Sequence, residues 1–193
     1  MITGGTGGLG LATAKWLVEE GARHVALLGR GTKPSVAVEN WIKESQNKGV
    51  EIFILQADVA NRTQLASALQ TLAATLPPLK GVVHAAGVLV DGILQQLTWE
   101  KMENVLAPKV WGAWNLHQLT EHYELDFFAL YSSAASLLGS PGQGSHVAAN
   151  SFLDALAHYR QAQGLPAVSI TWGPWAEVGS AATAQVQRQM ELQ

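Results

Sequence analysis

The sequence predicts a single α/β domain built on one doubly wound parallel sheet. Three observations carry that expectation. Hydrophobic residues make up 48% of the 193 residues, charged residues only 14%, and glycine occurs 19 times, the balance of a sheet covered on both faces. Short β-rich runs alternate with longer amphipathic segments, the pattern of right-handed strand–helix–strand crossovers. A glycine-rich turn, "TGGTGGLG" from Thr3 to Gly10, lies between a strand stub and a helix.

Taken in order, the stub Met1–Thr3 leads into the glycine turn and a helix over roughly 9–20. "HVALLG" (24–29) reads as a buried strand because its apolar residues run without alternation. A loop, "GRGTKPS" (29–35), precedes a helical pattern over 35–48. "VEIFILQADV" (50–59) is the next strand, and the helix over 61–76 starts at Asn61, a good N-cap. The proline loop "TLPPLKG" (75–81) leads to a strand, "KGVVHAAGV" (80–88). A long helix is expected over 98–122, then a strand "LDFFALYSS" (125–133), a helix over 146–163 and a last strand "PAVSITWG" (166–173). The first strand is shorter than the usual strand of about five residues, and the polar end "ATAQVQRQMELQ" is helix-like. The expected fold is therefore truncated at both ends, a fragment of a larger multidomain chain.

Bulk properties exclude several functions. A net charge of −3 without long Lys/Arg runs gives no footprint for nucleic acid. The absence of cysteine removes thiol catalysis and fits a reducing, cytoplasmic compartment. No run approaches the ~18 apolar residues of a membrane span, and "MITGGTGGLG" is no signal peptide. The six histidines are scattered, so no metal cluster is expected. Neither Ser140 nor Ser145 sits in the G-x-S-x-G elbow of a serine hydrolase.

The glycine turn matches G-x-G-x-x-G at Gly5, Gly7 and Gly10, and also T-G-x-x-x-G-x-G through Thr3, Gly4, Gly8 and Gly10. In a strand–turn–helix unit this makes a Rossmann-like dinucleotide site, with Thr3, Gly5, Thr6, Gly7, Gly8, Leu9 and Gly10 around the pyrophosphate. Arg30, with no acid until Glu39, points to the 2′-phosphate of NADPH; a solvated surface arginine is the alternative. Asp58 and the Val59 backbone close the third strand where the adenine would lie, although Asp58 could also cap a helix. Ala85, Ala86 and Gly87 close the next strand beside the nicotinamide ribose, and His84 reads as a packed strand-end residue.

The ordered set "TGGTGGLG", "HAAGVLVDG", "LAPKVWGAWNLH", "YSSAASLLGSPGQG", "AANSFLDALAHYR" and "TWGPWAEVG" resembles the catalytic half of ketoreductase domains from modular polyketide synthases. These belong to the short-chain dehydrogenase/reductase superfamily. The resemblance implies that Lys109 supports the acid and flanks the cofactor. It implies that Ser133 holds the substrate ketone and that Asn150 supports the network. The proton-donating tyrosine of the family falls thirteen residues after Ser133, where this chain has His146.

The chemistry is coherent residue by residue. Hydride delivery to a ketone builds charge on oxygen, which preorganised donors must meet. Positions 146 and 150 share a helix face. An imidazolium is a competent acid near neutrality, but a neighbouring ammonium at Lys109 disfavours it, and imidazole reaches less far than phenol. Three readings stay open: an active reductase using His146, a water or both; a reductively silent domain that keeps its fold; or a scaffold reused for another purpose.

Asp91 stands at the end of the family's L-D-D-type motif, here Leu89-Val90-Asp91, with a capped turn at Gly92 as the alternative. Leu138 replaces the tryptophan of the opposite stereochemical class, and Pro141 matches the D-type pattern, so the resemblance implies a D-hydroxyacyl product. The resemblance implies that the chain at Pro174 and Trp175 passes the nicotinamide, and that Trp172 and Trp175 line the substrate groove, with packing as core aromatics the alternative for both. "SAATAQVQRQMELQ" would be a lid helix. The implied partners are a β-ketoacyl group on an acyl carrier protein and neighbouring synthase domains, including the non-catalytic half of the ketoreductase.

Overall fold

The computed structural model describes residues 1–31 and 33–175. The expected lid segment and Thr32 lie outside them. Six strands form one wholly parallel sheet: β1 (Ile2–Thr3), β2 (His24–Gly29), β3 (Glu51–Gln56), β4 (Gly81–His84), β5 (Phe127–Ser133) and β6 (Val168–Trp172). Their order, β3-β2-β1-β4-β5-β6, is that of a Rossmann sheet. The chain reverses direction between β1 and β4, so a crevice opens at the carboxyl ends of Thr3 and His84, which are register partners.

The helices are α1 (Gly8–Glu19), α2 (Val36–Asn47), α3 (Arg62–Thr75), α4 (Trp99–Leu106), α5 (Gly112–Thr120), the short α6 (Ala135–Leu138) and α7 (Gly144–Ala162). The strands explain why their sequences are apolar throughout. Ala26, Leu28, Val82, Phe128 and Leu130 face a core shared with Leu65, Leu116 and Leu153. Their neighbours Val25, Leu27, Val83, Ala129 and Tyr131 face the opposite layer with Ile2, Ala14 and Val50. Each fully buried Leu or Phe contributes on the order of 1.5–3 kcal/mol, so both faces are held.

The structure corrects three expected bounds. The strand expected over 50–59 ends at Gln56, because Asp58 turns the chain by accepting the Ala60 N–H at 2.9 Å. The strand expected over 80–88 ends at His84, and Ala85 to Val88 run on as irregular backbone past the crevice. The helix expected over 98–122 is interrupted by a π-turn at Ala107–Trp111. Pro108 has no N–H to donate, so the hydrogen-bond register slips there by one residue. That turn carries Lys109 to a buried position. Caps fall as the side chains require: Ser35 accepts from Val38 N and Asn61 from Gln64 N.

Among the described residues, no helix is long and apolar enough to cross a membrane.

Candidate active site

At the crevice the glycine turn lies tight against the start of α1. Gly4 has φ +69°, a conformation open to glycine. A Cβ at Gly10 would lie 2.4 Å from Gly4 O, so only glycine lets the helix approach the loop this closely. Thr3 lies beneath the loop, fully buried. Its Oγ1 pairs with His84 Nδ1 at 2.7 Å and accepts the Ala86 N–H at 3.3 Å, so it holds the loop to β4. This is the packed strand-end role expected of His84.

A cleft of about 290 Å³ runs beside the loop, lined by Gly4, Thr6, Arg30, Asp58, Val59, Ala86, Gly87 and Pro108 among others. It gathers the expected phosphate, adenine and ribose positions into one surface. Gly5, Gly7, Gly8, Leu9, Gly10 and Ala85 shape the loop and strand end rather than the cleft wall. Arg30 is exposed at its rim. A larger apolar cleft of about 670 Å³ lies at the opposite end of the sheet, beneath Met1, Val25 and Gly81, remote from every residue considered for chemistry. The open glycine cradle fits the pyrophosphate of a dinucleotide.

The four expected catalytic residues converge from β5, the π-turn and α7. Ser133 ends β5, and its Oγ accepts the Ala135 N–H at 3.2 Å, which leaves the hydroxyl proton free to donate. Lys109 donates from Nζ to Tyr131 O at 2.8 Å. Its stem runs along Gly87, where a Cβ would lie 3.0 Å from Lys109 Cε. Burial lowers the Lys109 ammonium from its ordinary 10.5 to about 8, with the Asp154 carboxylate acting in the other direction.

His146 sits in the first turn of α7 and Asn150 one turn on. Asn150 Nδ2 donates to His146 O at 2.8 Å and lies 3.0 Å from His146 Nε2. A carbonyl oxygen only accepts, so the amide nitrogen must face it. The same nitrogen then donates to Nε2, and the neutral imidazole carries its proton on Nδ1. Nδ1 is buried without a partner among the described residues, as is Asn150 Oδ1. Burial, then the Lys109 charge, lower His146 from 6.5 to about 4, with Asp91 opposing. At neutral pH the ring is uncharged.

Asp91 is tied to the approach to α7: Gln143 Nε2 donates to Asp91 Oδ1 at 3.0 Å, and Gly92 N to Gly142 O at 2.8 Å. Leu138 stands out from α6 at 85% exposure. Trp172 packs against Tyr131 at 5.4 Å between ring centroids and against Trp175 at 5.0 Å, so it serves the core and the crevice edge together. Pro174 is exposed beside it. Sequence reasoning passed over Asp154, which lies at the spacing that links His146 and Asn150, extended by one more turn.

The profile described as "KR domain" matches residues 1–177. The phthioceranic/hydroxyphthioceranic acid synthase of Mycobacterium tuberculosis H37Rv is 45% identical over 93% of this chain, which spans 8% of that protein's length. Among solved structures, one described as A-type ketoreductases from a modular polyketide synthase aligns at a TM-score of 0.90 and 39% identity, covering 98% of this chain and 40% of its own. The ketoreductase from the first module of phoslactomycin biosynthesis in Streptomyces sp. HK803 aligns at 0.91 and 37%, covering 98% and 44%. With the family profile matched along nearly the whole sequence and the sheet superimposing on these structures, the chain belongs to the ketoreductase domains of modular polyketide synthases, on the short-chain dehydrogenase/reductase fold.

Proposed function

We propose that this domain reduces the ketone of a β-ketoacyl thioester, carried by an acyl carrier protein, to a β-hydroxyacyl thioester. The observation that carries the reading is the convergence of Ser133, Lys109, His146 and Asn150 beside a glycine-loop cleft suited to a dinucleotide. NADPH, when bound, supplies the hydride that reaches the ketone carbon; Arg30 at the cleft rim favours its 2′-phosphate over NADH. Ser133 donates its free hydroxyl proton to the ketone oxygen as charge builds there. Lys109, an ammonium below about pH 8, adds positive potential near that oxygen.

The remaining proton must reach the oxygen for the alcohol to form. His146 stands where the family's tyrosine donates it. In the neutral form its proton is on Nδ1, so delivery requires a turn of the ring, a bridging water, or protonation to imidazolium. The tie between Asp91 and Gln143 and the absence of a large ring at Leu138 support a D-configured product. The domain would act in the cytoplasm beside other synthase domains, including the non-catalytic half of the ketoreductase.

A second reading is favoured by the same geometry. Nε2 is engaged by Asn150 and Nδ1 is sealed, so a domain held in this arrangement keeps its fold and NADPH site but does not reduce. The deciding experiment follows NADPH oxidation by a β-ketoacyl thioester, comparing the parent with His146→Tyr and His146→Phe. Turnover in the parent that His146→Phe abolishes supports the active reading. A silent parent rescued by tyrosine supports the second. Failure of tyrosine to rescue a silent parent that binds NADPH would refute reduction at this site.

A further inference from the structure

Asp154 lies on α7 one turn beyond Asn150 and two beyond His146, on the same face. Its carboxylate accepts two hydroxyls, Ser136 Oγ at 2.6 Å on Oδ2 and Ser169 Oγ at 2.5 Å on Oδ1. Ser136 belongs to α6, and its single hydroxyl proton is offered to Asp154 Oδ2 or to Ser133 O at 2.9 Å, so the tie runs from the carboxylate to α6, the turn that follows Ser133. Ser169 belongs to β6, whose Trp172 O accepts the Ala134 N–H at 2.9 Å from that same turn. One side chain thus joins the helix carrying His146 and Asn150 to the turn carrying Ser133 and to the neighbouring strand.

Two neutral hydroxyls would be served by a neutral amide, without the desolvation of a partly buried anion. No Lys or Arg among the described residues lies within ion-pair distance of Asp154. The charge has a use at longer range, because the buried ammonium of Lys109 lies within its field.

We propose that Asp154 is a positioning residue for the reduction: it clamps the Ser133 turn to α7, and its negative charge acts on the buried Lys109. This rests on the functional reading above for its catalytic consequence, but not for its electrostatic one. Removing the carboxylate leaves burial unopposed, and the Lys109 titration moves down from about 8 toward neutrality.

The test uses the whole chain with isotope-labelled lysine side chains, their titration followed by NMR and the Lys109 signal assigned with Lys109→Met. Asp154→Asn keeps the shape and one acceptor but removes the charge. It is expected to lower the Lys109 pKa by about one unit or more. It should lower kcat by about tenfold and move the alkaline limb of the rate profile by the same amount, with NADPH affinity within about twofold. The double variant Ser136→Ala, Ser169→Ala keeps the charge and removes the ties. It should leave the Lys109 titration in place and lower kcat about tenfold at little-changed KM for NADPH.

An unmoved Lys109 titration in Asp154→Asn overturns the electrostatic role. Undiminished kcat in the double variant overturns the clamp, and that variant still decides the point if Asp154→Asn does not fold. A parent without turnover refutes the reading of the domain as an active reductase, while the lysine titration still decides whether the Asp154 charge acts on Lys109.

Discussion

Replacing His146 by tyrosine tests the proton supply directly. With the His146 pKa lowered to about 4, the imidazolium fraction at pH 7 is on the order of 10⁻³. If turnover draws on that form, kcat of the parent rises about tenfold for each pH unit below 7, levelling near 4. The sign follows from the direction of the shift: a histidine held below its ordinary value gains its proton only at lower pH. Tyrosine enters with its proton already in place, and Lys109 favours its release. His146→Tyr is therefore expected to raise kcat at pH 7 by about 10²-fold, the lower range of general acid catalysis, and to abolish the acid-side rise. The assay is NADPH oxidation with a β-ketoacyl thioester from about pH 5.5 to about pH 8.5, with circular dichroism confirming the fold at each pH. Turnover in the parent that is flat across this range and matches the tyrosine variant would refute the reasoning.

Other expectations follow from the same geometry. Gly10→Ala should weaken NADPH binding by about tenfold or more in a fluorescence titration, because its Cβ would fall 2.4 Å from Gly4 O and push the loop away from α1. Arg30→Ser should reduce the preference for NADPH over NADH by about tenfold, read as the ratio of kcat/KM values. His84, wholly buried and lowered from 6.5 to about 3, binds its proton in the unfolded chain before the folded one. Stability is therefore lost as pH falls from about 6.5 toward about 3, by at most about 4–5 kcal/mol from this group. Denaturant melts of His84→Asn should show a shallower acid dependence than the parent.

Much of the architecture was legible because the relevant signals are local. "HVALLG" ends where β2 ends, since its neighbours supply polar residues and a glycine turn. The spacing of His146 and Asn150 reads as one helix face because the period of a helix is fixed. The π-turn was not legible: Pro108 signals a break, but which way the register slips depends on how Lys109 and Val105 bury. Nor was Asp154, since an aspartate on an amphipathic helix reads as part of its solvated face until Ser136 and Ser169 arrive from other elements. The tautomer of His146 likewise emerges only from an amide nitrogen that two acceptors share. Imidazolium acid catalysis near neutrality, a reasonable expectation from the free residue, meets a folded environment that holds the ring neutral.

The π-turn at Ala107–Trp111 has a consequence for how such domains can change by descent. Loss of a single codon within it would let α4 and α5 fuse into a regular helix, a local gain in hydrogen-bond geometry. Because the widened turn holds one residue more than a regular one, both halves would keep their faces and only the extra residue would be withdrawn. Lys109 would then leave the crevice, though every other site residue stayed in place. A one-residue gap at this point between two related sequences therefore marks the presence or absence of a buried cation, and deserves weight that a loop deletion of the same length would not.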